Sequence, residues 1–200
     1  MSTIPTTEIL IFDTSEEFRK DVSILRPAFD IVSKADGVHK PVYSGIQIEN
    51  PATGYIFLNW DTLAHHQAVM ASPSYGPLLE ALKPAFGGSS KMYHVIFNDH
   101  PIALQQPVTA VLLITLKDPS HRAEAFDILS KISGLRKKMI VFGPTLEDKN
   151  AIVLVGGWSS VEAHWEMAAE PEVKAAMERL FVLANKEHLF HAALKSYARN

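Results

Sequence analysis

The chain has no cysteine in 200 residues, which excludes a disulfide framework, a thiol nucleophile and any zinc–thiolate centre. It has no apolar run near the roughly 20 residues that a spanning helix needs. Met1 to Thr7 carries neither the basic start nor the apolar stretch of a secretory leader, so a cytoplasmic protein is expected. A basic excess is missing too: 19 Lys+Arg stand against 22 Asp+Glu, a formal charge of −3. That balance offers nucleic acid or an anionic membrane no large electrostatic footprint. H-E-x-x-H, the P-loop and G-x-G-x-x-G are all absent, so zinc proteolysis, nucleotide hydrolysis and Rossmann cofactor binding lack their sequence basis. What is present is ordinary globular composition, 47% hydrophobic and 20% charged, with nine histidines as the richest chemical resource.

The chain repeats itself. Ala28 to Val38 matches Ala125 to Leu135 at an offset of 97, with seven of eleven residues identical. At 98, Gly45 falls on Gly143, Trp60 on Trp158, His66 on His164 and Pro73 on Pro171; at 97 again, Tyr93-His94 falls on Phe190-His191. A period this long is a small domain rather than a solenoid repeat, so a whole fold has been duplicated.

Reading the copies against each other gives the elements. Ile9 to Phe12 is a short apolar run, followed by Thr14 and Glu17 at capping-box spacing. Phe18, Val22, Leu25, Phe29 and Val32 then recur at helical spacing as far as Gly37, with a kink expected at Pro27. Ala110 to Leu116, a helix start at Asp118-Pro119 and a stop at Gly134 repeat this order. Val42 to Ile48 with Tyr55 to Trp60, and Met139 to Phe142 with Ala151 to Trp158, read as hairpins. Each tryptophan precedes a helix, capped by Asp61 or Thr62 in one copy and by Ser159 with Glu162 in the other, and broken by Pro73 or Pro171. Gly87 to Ser90 reads as a loop, and Lys91 to Phe97 as a closing strand. His188 to Leu194 should close the second copy, although Glu172 to Lys195 also reads as one long helix. The expected fold is α+β: two tandem ferredoxin-like βαββαβ units over residues 1–98 and 108–200, joined by a linker at 99–107.

The run from Trp158 through His164, Met167 and Pro171, matched by Trp60, His66, Met70, Pro73 and Tyr75, resembles the antibiotic-biosynthesis-monooxygenase (ABM) and ethyl-tert-butyl-ether-degradation type members of the dimeric α+β barrel superfamily. The resemblance spans almost the whole chain. It implies that the two sheets pack face to face as an intramolecular α+β barrel, for which one chain suffices, a homodimer remaining open. It also implies a cofactor-independent enzyme whose ligand is a small apolar or aromatic, oxygenated molecule such as an aromatic polyketide or phenolic. A histidine would remove a proton α to a carbonyl or from a phenol, leading to cyclisation, isomerisation, elimination or oxygenation. A non-catalytic small-molecule-binding or stress-response module is the alternative, and a haem-binding enzyme the third.

The residues that would carry this chemistry each have a plainer reading. His66, and His164 in the second copy, are either a general base facing a pocket or polar residues packed on the tryptophan. His94 shares a strand face with Met92 and Ile96, as a neutral base lining a cavity or a satisfied core histidine; His191 is its counterpart. Trp60 and Trp158 are aromatic pocket walls or core, and Tyr43, Tyr75 and Tyr93 are hydrogen-bonding groups for a ligand oxygen or structural phenols. The first copy keeps Tyr43, Tyr55, Tyr75 and Tyr93 where the second has Val141, Val153, Val173 and Phe190, so the first is expected to hold the ligand. No metal site is expected: His65 and His66 are adjacent on a helix and diverge by about 100°.

Overall fold

A computed structural model describes residues 3–198. The first half runs β1 (Thr6–Thr14), α1 (Glu16–Lys20), α2 (Arg26–Val32), β2 (Val38–Gln47), β3 (Thr53–Trp60), α3 (Leu63–Met70), α4 (Tyr75–Leu82) and β4 (Phe86–Ile96). The second runs β5 (Val108–Leu116), α5 (Arg122–Leu135), β6 (Ile140–Pro144), β7 (Ala151–Trp158), α6 (Val161–Ala168), α7 (Pro171–Leu183) and β8 (Ala184–Tyr197). The strand orders β4-β1-β3-β2 and β8-β5-β7-β6 are the same ferredoxin-like order twice. Contacts divide the chain into Met1–His94 with Ala192–Asn200, and Val95–His191. In the first unit the end of β8 therefore pairs with β2, Ala192 opposite Gln47 and Tyr197 opposite Val42.

In each unit the helices cover one sheet face. Leu10, Phe12, Ile56, Leu58 and Trp60 pack with Phe18, Leu25, Phe29 and Val32 in the first. Ala110, Leu112, Ile114 and Trp158 pack with Ala125, Leu129, Ile132 and Leu180 in the second.

Several expected boundaries move, each for a local reason. Ser15 caps α1, its Oγ accepting from Phe18 N at 3.0 Å, while Thr14 ends β1 and donates its hydroxyl to Pro51 O. The long helix of the first unit is broken at Asp21, whose carboxylate caps a 3-10 turn over Val22–Leu25; Pro27 then sits in the first turn of α2, where its missing N–H costs nothing. The first unit has five more residues than the second between its first strand and the matched helix segment, which accounts for the break. The second unit's helix α5 is continuous, passes through Gly134 to Leu135, and is followed by Lys138 in the left-handed region. Gly87 to Ser90 belongs to β4 and is not a loop: a Cβ at Gly87 would lie 2.5 Å from Thr14 O, so glycine lets the strand approach the end of β1. The long-helix reading of 172–195 fails after Leu183, where the chain turns into β8.

Ser160, not Ser159, caps α6 by accepting from Ala163 N at 3.1 Å. Ser160→Ala should therefore cost about 1 kcal/mol in chemical denaturation and Ser159→Ala close to nothing; equal costs would contradict this capping geometry.

Candidate functional site

The end of the third strand, the helix after it and the last strand of each unit bring three aromatic rings together. In the first unit Trp60 at the end of β3 stacks on His66 of α3, ring centroids 5.1 Å apart, and His66 Nδ1 lies 2.7 Å from His94 Nε2 on β4. The second unit repeats this: Trp158 lies 4.8 Å from His164 of α6, and His164 Nδ1 is 2.7 Å from His191 Nε2 on β8. Both pairs are placed by the same logic. A helix starting three residues beyond the tryptophan turns its second-turn histidine back over the indole, and period two on the last strand directs its histidine to the helix side.

The tyrosines behave differently. Val42 and Ile46 belong to the helix-side packing, so Tyr43 between them faces the other side of the sheet, and Tyr93 is likewise opposite to Met92 and His94. Tyr75 packs at the edge of the helix-side core.

Around the shared histidine pair the units have diverged. In the first, the Glu8 carboxylate is buried on β1, accepts from Trp60 Nε1 at 2.8 Å, and stands 3.5 Å from His66 Nε2. Strand register puts Glu8 opposite Leu58 in the first unit and Ala110 opposite Gly156 in the second, with the tryptophan two residues beyond in both. A carboxylate and a leucine are thus replaced by a methyl group and a hydrogen. Two consequences follow. The Trp158 indole N–H is buried with no partner among the described residues, and a cavity of about 240 Å³ opens, lined by Ala110, Gly156, Trp158, His164, Trp165 and Phe181 among others. The corresponding space in the first unit, beside Glu8, Leu58, Trp60 and His66, is about 40 Å³, room for little more than one water. The larger cavity is therefore in the copy that lost the tyrosines, because Val173 at the Tyr75 position also lines it.

Two further residues complete the second site. Trp165, at the position of Gln67, stacks on the open side of His164 with centroids 4.7 Å apart, so that imidazole is held between two indoles. The Arg136 guanidinium lies 4.6 Å over the Trp158 ring, a cation–π contact that draws density from the indole and strengthens its N–H as a donor.

Glu8, His66 and His94 place three donor atoms within 4.8 Å of one another, a set of types that metals accept. The spacing fits a shared proton better. Two ligands of one ion at metal–nitrogen distances of about 2.0–2.1 Å stand about 3.0–3.4 Å apart, and the imidazole nitrogens are hydrogen-bonded at 2.7 Å. A haem does not fit the second-unit cavity, whose volume lies below the roughly 300–1,000 Å³ of drug-sized pockets.

Burial holds the His66 imidazole down at about 4, with the adjacent His94 acting in the same direction, and burial pushes the Glu8 carboxyl up. A histidine whose folded value lies below its unfolded one contributes stability that is complete above about pH 6.5 and is lost as the pH falls towards 4. Linkage limits this to about 3 kcal/mol. Glu8 has the opposite sign, its contribution being present at low pH and lost as pH rises through its folded value. The denaturation midpoint should therefore fall between pH 6.5 and 4, less steeply in His66→Gln and more steeply in Glu8→Gln; parallel profiles for all three proteins would contradict the assignment.

No family profile matches the sequence, and no curated protein matches it. Solved structures do. A candidate monooxygenase from Fusobacterium nucleatum superposes with a TM-score of 0.71 at 12% identity, covering 99% of this chain and 94% of that one. An anthrone oxidase-like protein gives 0.72 at 12%, covering 98% and 95%. A candidate monooxygenase from Lactobacillus acidophilus gives 0.66 at 11%, covering 98% and 97%. The chain has their fold. It is an α+β fold of two ferredoxin-like units in one polypeptide. Among the described residues, no helix of this α+β fold is long and apolar enough to cross a membrane.

Proposed function

We propose that the protein is a cofactor-independent enzyme that removes a proton from a small, apolar, oxygenated substrate in the second-unit cavity, with His164 as the base and His191 as its positioning residue. The observation that carries the reading is the coincidence of a 240 Å³ apolar cavity with an imidazole lining it and hydrogen-bonded on its far nitrogen to a second, fully buried imidazole. For comparison, an apolar cavity of about 150 Å³ takes benzene, so a substrate of one to three rings suits this volume.

In the tautomer with His164 Nδ1–H donating to His191 Nε2, His164 Nε2 is the nitrogen that takes the proton. That is the atom which, in the first unit, is directed at the carboxylate position vacated here. When His164 takes a proton, the His191 lone pair stabilises the imidazolium that forms, the arrangement by which a second group fixes tautomer and orientation in general-base catalysis. The cavity walls are largely apolar, and a phenolic or benzylic anion is delocalised enough for an imidazole base. The name borne by the anthrone oxidase-like neighbour suggests the oxygenation branch. Anthrone loses its benzylic proton to His164, and the carbanion is oxidised by dioxygen to anthraquinone, one anthrone and one O2 giving one anthraquinone and one water.

The test is anthraquinone formation from anthrone, followed spectroscopically with and without protein. Protein-dependent formation that saturates with substrate is expected; a rate equal to spontaneous oxidation would contradict the proposal.

One observation favours a second reading, a binding module without chemistry. The histidine pair is retained in the first unit, where there is no room for a ligand, so it serves packing at least there.

A further inference from the structure

The two units form an internal comparison at one position. In the first, the Trp60 N–H is satisfied by the Glu8 carboxylate, whose oxygen also stands 3.5 Å from His66 Nε2. In the second, tryptophan and histidine keep their places, the side chain between them is reduced to the methyl of Ala110, and the Trp158 N–H has no partner among the described residues although Trp158 is only 3% exposed. A buried donor without an acceptor is costly and uncommon. The arrangement lacks one oxygen, and the cavity stands where that oxygen belongs.

We propose that the ligand of the second unit supplies this oxygen: a phenolic hydroxyl or ketone on an apolar ring system, accepting from Trp158 Nε1–H beside His164, in the place that Glu8 holds in the first unit. The first unit is in this sense permanently filled by its own side chain. A neutral oxygen is favoured over a carboxylate because the pocket walls are largely apolar, their Lys174 being paired with Glu178 at 4.0 Å, and the one carboxyl in the equivalent place is pushed towards its protonated form by burial. Arg136 on the Trp158 ring favours electron density arriving at the N–H, as when a phenol loses its proton. The inference rests on the cavity being the ligand site, as in the proposed function, but it concerns what is bound rather than what is done to it.

The experiment is equilibrium dialysis of the full chain against 2-naphthol, naphthalene and 2-naphthoate at neutral pH. One satisfied hydrogen bond to a buried donor corresponds to about a tenfold difference in affinity, so 2-naphthol should bind about ten times more tightly than naphthalene and more tightly than 2-naphthoate. Trp158→Phe keeps an aromatic wall but removes the donor, and the preference for 2-naphthol over naphthalene should shrink below about threefold. Should that variant not fold, Ala110→Glu keeps the indole and supplies the first unit's own carboxylate; 2-naphthol affinity should then fall at least about tenfold.

Equal binding of 2-naphthol and naphthalene, tighter binding of 2-naphthoate, binding of none of the three, or an undiminished preference in Trp158→Phe would each overturn the proposal. The enzyme reading fails separately: an oxygen preference that depends on Trp158, without protein-dependent turnover, leaves this assignment standing and removes the catalytic one.

Discussion

Turnover should fall by about 10² to 10⁴-fold in His164→Ala, the usual worth of a positioned general base, with stability falling by only about 1 kcal/mol for the hydrogen bond taken from His191. The small effect on stability follows from His164 being only half-buried on a two-turn helix and bordering a cavity that already exists. His191→Ala should behave differently. His191 is fully buried, so its loss leaves a void and removes the acceptor for His164 Nδ1–H. Turnover should drop less than in His164→Ala, and stability should fall by roughly 1 to 3 kcal/mol. His191→Asn offers an amide oxygen to the same N–H, and partial recovery of kcat at unchanged KM would separate a positioning role from a packing one. Full activity in both His164→Ala and His191→Ala would eliminate the pair as the catalytic centre.

The second large effect is a difference between matched substitutions. Trp60→Phe removes the N–H that satisfies a buried carboxylate, whereas Trp158→Phe removes an N–H that satisfies nothing. Both lose a similar volume of aromatic surface, so the packing cost largely cancels between them. What remains is the hydrogen bond to Glu8 together with the penalty of leaving its carboxyl buried and unpaired, about 2 to 3 kcal/mol. Trp60→Phe should be the more destabilising by that amount, read as a shift of the urea midpoint at constant slope. Glu8→Ala in the Trp60→Phe background should recover part of it, since the second unit shows that alanine at this position is compatible with the fold. Equal destabilisation by the two tryptophan substitutions would mean that the Glu8 contact is worth little.

The sequence made the duplicated fold legible because identity at matching offsets marked the positions where packing demands the same residue twice: Trp60 and Trp158, His66 and His164, His94 and His191. Those six residues do converge, three in each unit. Glu8 was invisible to the same comparison. Its counterpart is alanine, so nothing repeats, and the five extra residues of the first unit shift the alignment of the opening strand away from the offset that aligns the rest. The cavity was missed for a related reason: it is made by what Ala110, Gly156 and Val173 lack, and a missing side chain leaves no motif. The four tyrosines favoured the first copy, whereas the larger space beside a histidine pair lies in the second, because a side chain that could bind a ligand also occupies space. The alternation along β4 nevertheless already separated Tyr93 from His94. Trp165 lies within the run from Trp158 to Pro171, yet its role depends on stacking against His164, which helical spacing alone does not specify.

A crystal structure of the protein soaked with 2-naphthol decides whether the second unit holds the ligand with its oxygen in the place of Glu8. Density is expected for one ligand among Trp158, His164, Trp165 and Phe181, its oxygen about 2.7 to 3.2 Å from Trp158 Nε1. Density for the ligand only beside Glu8 in the first unit, or a second-unit cavity left empty at saturating ligand, would contradict this placement.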